Sequence, residues 1–189
     1  VAIFTLEQYV EAGTMTQGQY EALKAAVKNH RNILVIGGTG SGKTTLVNAI
    51  INEMVICDPM ERVFIIEDTG EIQCAAENFV QYHTSLEVPM TALLKATLRM
   101  RPDRILVGEV RGAEALDLLD AWNTGHEGGA ATLHANNAAA GLARLRSLIT
   151  RNESAPAEIE PLIGEVVHVV VHIARTPEGG RRIQEILEV

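Results

Sequence analysis

With 189 residues, 47% of them hydrophobic and 21% charged, the chain has the size and make-up of one globular domain with a substantial apolar core. Its formal net charge of −8 argues against a dominant, non-specific hold on nucleic acid, because phosphate neutralisation needs a basic face; a local basic patch is still compatible with it. No apolar run approaches the roughly 18 residues that a membrane span needs, no signal-peptide pattern opens the chain, and Cys57 and Cys74 form neither a CxxC pair nor a zinc quartet, so they read as reduced thiols.

The first residue is Val1 rather than Met, as expected of a piece of a longer protein. Residues 5–30 read as a short helix, a Gly/Thr break at 13–16 and a second helix. On this reading residues 1–31 are a helical lead-in or linker, and 32–189 form one α/β domain. Short apolar runs suited to buried parallel strands follow: NILVIG (32–37), RVFIIED (62–68), RILVGEV (104–110) and ATLHA (131–135). Helix-like segments lie between them at 43–54, 90–100, 113–123 and 138–150, which is the βαβ rhythm of a mostly parallel sheet flanked by helices. The tail changes character: VVHVVVHIAR (166–175), then TPEGG, then RRIQEILEV (181–189) predicts a C-terminal β-hairpin closing the sheet edge. His168 and His172, four apart on one strand face, read as structural.

The chemistry begins at the first strand. Gly37, Gly38, Thr39, Gly40, Ser41, Gly42, Lys43 and Thr44, with Thr45 after them, match G-x-x-x-x-G-K-[ST], preceded by an apolar strand and followed by an amphipathic helix as the motif requires. The glycines let backbone N–H groups turn around phosphate oxygens, and the helix N-terminus adds to the attraction. Lys43 is expected to reach the β- and γ-phosphates and Thr44 to offer its hydroxyl to Mg²⁺. No Asn/Thr-Lys-x-Asp base-reading motif and no LSGGQ-like signature is present, which favours ATP over GTP and sets transporters aside. Phe4 and Tyr9 are the aromatic candidates for the base.

Hydrolysis requires a carboxylate for water and groups for the metal. RILVGEV carries Gly108 where a metal-holding Asp is usual, so Glu109 at the strand's carboxyl end is assigned to water activation or a water-mediated Mg²⁺ contact. VFIIEDTGE ends in Glu67 and Asp68, with Glu71 three residues on; Glu67 is the favoured Mg²⁺ ligand, against a reading of these acids as a surface turn. Arg99, Arg101, Arg104 and Arg111 cluster about the same strand and suit phosphoryl-transfer charge in their own subunit or a neighbour, or else structural ion pairs. His126 and His134 lie in the glycine-rich run TGHEGGAATLHAN; two imidazoles and Glu127 lack a zinc spacing, which leaves a structural role or a sensing contact to the γ-phosphate or the lytic water.

GGTGSGKTT, IIEDTGEIQ, LRMRPDRILVGEVRG and TGHEGGAATLHAN, in that order, resemble the Walker A, Asp box, atypical Walker B and His box of the type II/type IV secretion (traffic) ATPase superfamily, and the resemblance runs from about Phe4 to the C-terminus. Within it the chain is most similar to the conjugal-transfer and type IV secretion branch. It reads GEVRG where pilus motors read GEMRD or GEIRD, and its two cysteines cannot build the zinc module frequent in type II relatives. The resemblance implies a RecA-like P-loop NTPase core, ATP and Mg²⁺, and a homohexameric ring at the cytoplasmic face of the inner membrane. It also implies contacts with other secretion-system proteins and a preceding N-terminal domain. By motif position, Lys43, Thr44, Glu67 and Glu109 serve phosphates, metal and water, His126 and His134 belong to the His box, and Arg99 and Arg101 face phosphate or interface. The expected function is ATP hydrolysis powering conjugative type IV secretion, in pilus biogenesis or substrate transfer. The alternatives are a nucleic-acid translocase or helicase, a pilus extension or retraction motor, and a nucleotide-gated assembly switch.

Overall fold

The computed structural model describes residues 4–189. α1 (Leu6–Glu11) and α2 (Gln17–Lys28) form where a helical lead-in is expected. Each starts with a threonine capping box, Thr5 with Gln8 and Thr16 with Gln19, in which side-chain oxygens take up first-turn N–H groups. Both pack against α3 (Lys43–Cys57), so that Leu6, Tyr9, Leu23 and Val27 share one core with Leu46 and Ile50.

The strands β1 (Ile33–Gly37), β2 (Val63–Glu67), β3 (Phe79–His83), β4 (Arg104–Val107), β5 (Ala130–His134), β6 (Val169–Arg175) and β7 (Arg181–Glu188) make one sheet in the order β3-β2-β4-β5-β1-β6-β7. Every pairing is parallel except β6 with β7, the expected terminal hairpin. Central strands are buried on both faces and therefore read as continuous apolar runs. Alternate residues feed two cores. Ile33 and Val35 face α1, α2 and α3, whereas Leu34 and Ile36 face α4 (Met90–Thr97), α5 (Glu114–Trp122), α6 (Ala138–Ile149) and α7 (Glu160–Val166). The result is a three-layer α/β/α sandwich.

Two elements go beyond the sequence reading. β3 adds an edge strand beside β2, and α7 lies between α6 and the hairpin, with Pro161 in its first turn, a position where the missing N–H is no loss. Among the described residues no helix is long and apolar enough to cross a membrane.

Candidate functional site

Parallel strands bring their carboxyl ends to one sheet edge, and register puts Gly37 of β1 beside His134 of β5. β4 ends between β2 and β5, so Gly108 and Glu109 emerge next to Glu67 on one side and Thr132 on the other. The Thr132 hydroxyl donates to the Gly108 carbonyl at 2.5 Å and fixes that exit. A cavity of about 470 Å³ opens at this edge, lined by residues 39–45 together with Glu67, Asp68, Glu71, Gly108, Glu109, Arg111, His134 and Arg181.

Gly42 caps α3 at φ +97°, a left-handed conformation that a side chain resists, and the helix starts at Lys43 with its free N–H groups toward the cavity. Gly37 and Gly38 do not line the cavity; their carbonyls accept from Lys43 Nζ at 2.9 and 3.0 Å. Burial pushes the Lys43 ammonium below its ordinary range, opposed by the charge of Glu109. Ser41 is buried and its hydroxyl has no partner.

The carboxylates differ in their partners. Glu67, the sequence candidate for the metal, is 2% exposed. One of its oxygens accepts from the Glu71 and Ile72 N–H groups at 3.0 and 2.8 Å, and the other from Gln81 at 2.6 Å. It thereby holds the segment after β2 in place. That segment delivers Glu71, whose carboxylate accepts from the Thr44 hydroxyl at 3.2 Å, to the cavity side. Gly108 makes room for this arrangement: a Cβ there would stand 2.8 Å from Cγ of Glu67. Glu109 reaches the cavity and is tethered through one carboxylate oxygen to Arg111 Nε at 2.5 Å, with Asp68 on Arg111's other side. That pairing holds the Arg111 guanidinium above its ordinary value.

The four arginines of the cluster separate. Arg111 stands at the cavity mouth, while Arg104 is fully buried, ion-paired with Glu61 and donating to the carbonyls of Gly128 and Val27 at 2.9 and 3.1 Å, a purely structural set of contacts. Arg99, Arg101 and His126 do not reach the cavity. They precede β4 and β5 and so lie at the amino ends of strands, about 15 Å along a five-residue strand from the carboxyl edge. Arg99 and Arg101 are exposed, and His126 Nδ1 faces the Pro102 carbonyl at 3.3 Å. The glycine-rich run is anchored at that far edge by Asn32, whose Oδ1 accepts from the Gly128 and Gly129 N–H groups at 2.8 and 3.3 Å. A Cβ at Gly129 would collide with the Ile105 carbonyl and Trp122, so close packing, not a phosphate, explains this glycine. His126 and His134 therefore belong to opposite ends of one strand.

The sequence reading had no signal for the part played by the hairpin. Arg175 Nε donates to the Gly40 carbonyl at 3.0 Å and Arg181 Nη2 to the same oxygen at 3.4 Å, joining the hairpin to the loop tip from more than 130 positions away. A second cavity, of about 370 Å³, shares Thr45 and Arg181 with the first and is walled by Phe4, Gln8, Tyr9, Ala12 and Thr14.

Residues 2–182 match the family described as "Type II/IV secretion system protein". The probable conjugal transfer protein TrbB of Sinorhizobium fredii is 50% identical over 187 residues, 99% of this chain and 57% of the relative. The type IV secretion system protein PtlH of Bordetella pertussis is 40% identical over 172 residues, 85% of this chain and 50% of the relative. The crystal structure of the VirB11 ATPase from the Brucella suis type IV secretion system, in complex with sulphate, superposes with a TM-score of 0.84 at 35% identity, covering 97% of this chain and 54% of that one. The chain thus spans about half the length of the relatives it matches.

Proposed function

This chain belongs to the type II/IV secretion system protein family, and from that premise we propose that it is the nucleotide-hydrolysing portion of a traffic ATPase of conjugative type IV secretion. It would turn ATP and water into ADP and phosphate and pass the resulting domain motion to pilus biogenesis or substrate transfer. The observation that carries the reading is the convergence, at one strand edge, of a phosphate loop with a half-buried lysine and a carboxylate on each side of it, Glu71 and Glu109.

In this mechanism Lys43 exchanges its bonds to the Gly37 and Gly38 carbonyls for β- and γ-phosphate oxygens. Glu109, held by Arg111 through one oxygen, uses the other to orient and deprotonate the attacking water. Thr44 and Glu71 are the groups that fit Mg²⁺, because their hydroxyl–carboxylate pair is open to the cavity, whereas both oxygens of Glu67 are already engaged by N–H donors. When bound, the ion would neutralise charge on the transferring phosphate. The unpartnered Ser41 hydroxyl is a further group that a bound phosphate would satisfy. His134, at the cavity rim, is assigned to sensing the γ-phosphate, and the base to the cavity walled by Phe4 and Tyr9.

Arg99, Arg101 and His126 are proposed to serve a neighbouring copy, since their edge of the sheet is remote from their own cavity. A homohexameric ring, peripheral to the cytoplasmic side of the inner membrane and touching other secretion proteins, is the corresponding assembly. The test is ATP turnover per subunit as protein concentration rises, with Glu109→Gln as the blank. A rate that climbs with concentration supports the ring; a flat rate above the blank contradicts it. Stimulation by single-stranded DNA would instead favour a translocase.

A further inference from the structure

We infer that Arg181, on the C-terminal hairpin, is a nucleotide-contacting residue that binds the α-phosphate, beside Arg175, which holds the loop tip through the Gly40 carbonyl. The inference rests on the proposed nucleotide site and adds to it a residue outside every motif of the sequence.

Arg175 and Arg181 are directly opposite one another in the β6–β7 register, so two guanidinium groups project from one face at the exposed end of the hairpin. Like charges in that relation destabilise a strand pair. A carboxylate between them would be the ordinary remedy, but among the described residues neither makes an ion pair. Both turn instead to one neutral acceptor, the Gly40 carbonyl. One carbonyl oxygen cannot balance two cations, and the arrangement calls for an anion.

The two contacts are unequal. Arg175 donates at 3.0 Å, a well-formed hydrogen bond; Arg181 donates at 3.4 Å, close to the limit, and is the one free to leave. Its stem lies across Gly42, where an added Cβ would come within 2.8 Å of Arg181 Cδ, so its guanidinium is delivered over the loop and not away from it. Arg181 also lines both cavities, the phosphate cavity at the loop and the apolar cavity of Phe4 and Tyr9, and only Thr45 shares that property. With the terminal phosphates at Lys43 and the base in the cavity walled by Phe4 and Tyr9, the group at the junction is the α-phosphate. A guanidinium forms charge-assisted, paired hydrogen bonds to such an oxyanion, which are much stronger than its present contact.

The experiment compares wild type with Arg181→Gln, and with Arg181→Lys as the charge-conserving variant. It measures binding of fluorescently labelled ADP and ATP, and the melting temperature without nucleotide. The expected result is a roughly tenfold loss of affinity for ADP and for ATP alike in Arg181→Gln, a smaller loss in Arg181→Lys, and an unchanged or higher melting temperature without ligand, because a repulsion has been removed. Unchanged affinity in Arg181→Gln would overturn the inference and leave the proposed function standing. Loss for ATP alone would overturn the α-phosphate assignment. Weaker binding accompanied by a lower ligand-free melting temperature, with Arg181→Lys no better than Arg181→Gln, would make the residue structural and also overturn it. Wild-type protein that binds neither nucleotide would defeat the function reading itself, and this inference with it.

Discussion

Gly108 and Glu67 share one space: a Cβ on the glycine would lie 2.8 Å from Cγ of the glutamate. The glycine that stands where an acid is usual at the end of such a strand is thus a steric partner of the acid on the next strand. Glu67, admitted by that vacancy, anchors the Glu71 and Ile72 N–H groups and so shapes the cavity wall. Gly108→Ala should push Glu67 aside, lower stability by about 1–3 kcal/mol and reduce ATP turnover together with it. Thermal denaturation and a phosphate-release assay on the same preparation check both; a variant as stable and active as wild type would remove the steric argument.

Glu67 and Glu71 should separate experimentally. Glu67→Gln removes a buried acceptor and sets its amide against that of Gln81, at a cost of about 1–3 kcal/mol in folding. Glu71→Gln, at an exposed position, should leave the melting temperature near that of wild type while raising the Mg²⁺ concentration needed for half-maximal turnover. A Mg²⁺ titration on each variant decides between them, and the reverse pattern would return the metal to Glu67.

Opposite placement on one strand makes the two histidines a matched pair. His134→Ala should lower turnover and spare ADP affinity, because only the γ-phosphate contact is lost. His126→Ala, at the far edge, should leave ADP and ATP affinity of dilute subunits untouched. Equal losses of both nucleotides in His134→Ala would mean a folding role instead.

Stability should depend on pH through the hairpin. Burial, aided by Arg31 and opposed by Glu127, pushes His168 below its ordinary value of 6.5, and burial does the same to His172 against Glu185. His168 Nδ1 accepts the Asn32 N–H at 2.8 Å, a bond that only the unprotonated nitrogen can make. With both folded-state values depressed, the unfolded chain takes up protons first as pH falls. Their stabilising effect is therefore full above about pH 6.5 and is lost as pH drops through the lowered values. Melting temperature should fall between pH 7.5 and 5.5, and less steeply in His168→Asn, which keeps an acceptor but cannot titrate; identical slopes would refute the assignment.

Much of this was readable in one dimension because it is local or repetitive. The loop at 37–44, the double-sided apolar strands and the capped lead-in helices each carry their signal within a few residues. β3 is not legible in the sequence because an edge strand with half-exposed residues has no apolar run; Phe79, Val80 and Tyr82 are its only β-favouring cluster. α7 is short and holds Pro161 and Gly164. That Glu67 meets N–H donors while Glu71 meets the Thr44 hydroxyl is a matter of loop geometry. The burial of Arg104, the remoteness of His126 and the reach of Arg175 and Arg181 to Gly40 are long-range facts that spacing does not encode.

The most direct test of the account is phosphate release from ATP at saturating nucleotide and Mg²⁺ by wild type and Glu109→Gln, with ADP binding measured on both. Release should be about a hundredfold slower or more in the variant, with ADP affinity unchanged. Equal rates in the two proteins, with nucleotide bound by both, would contradict it.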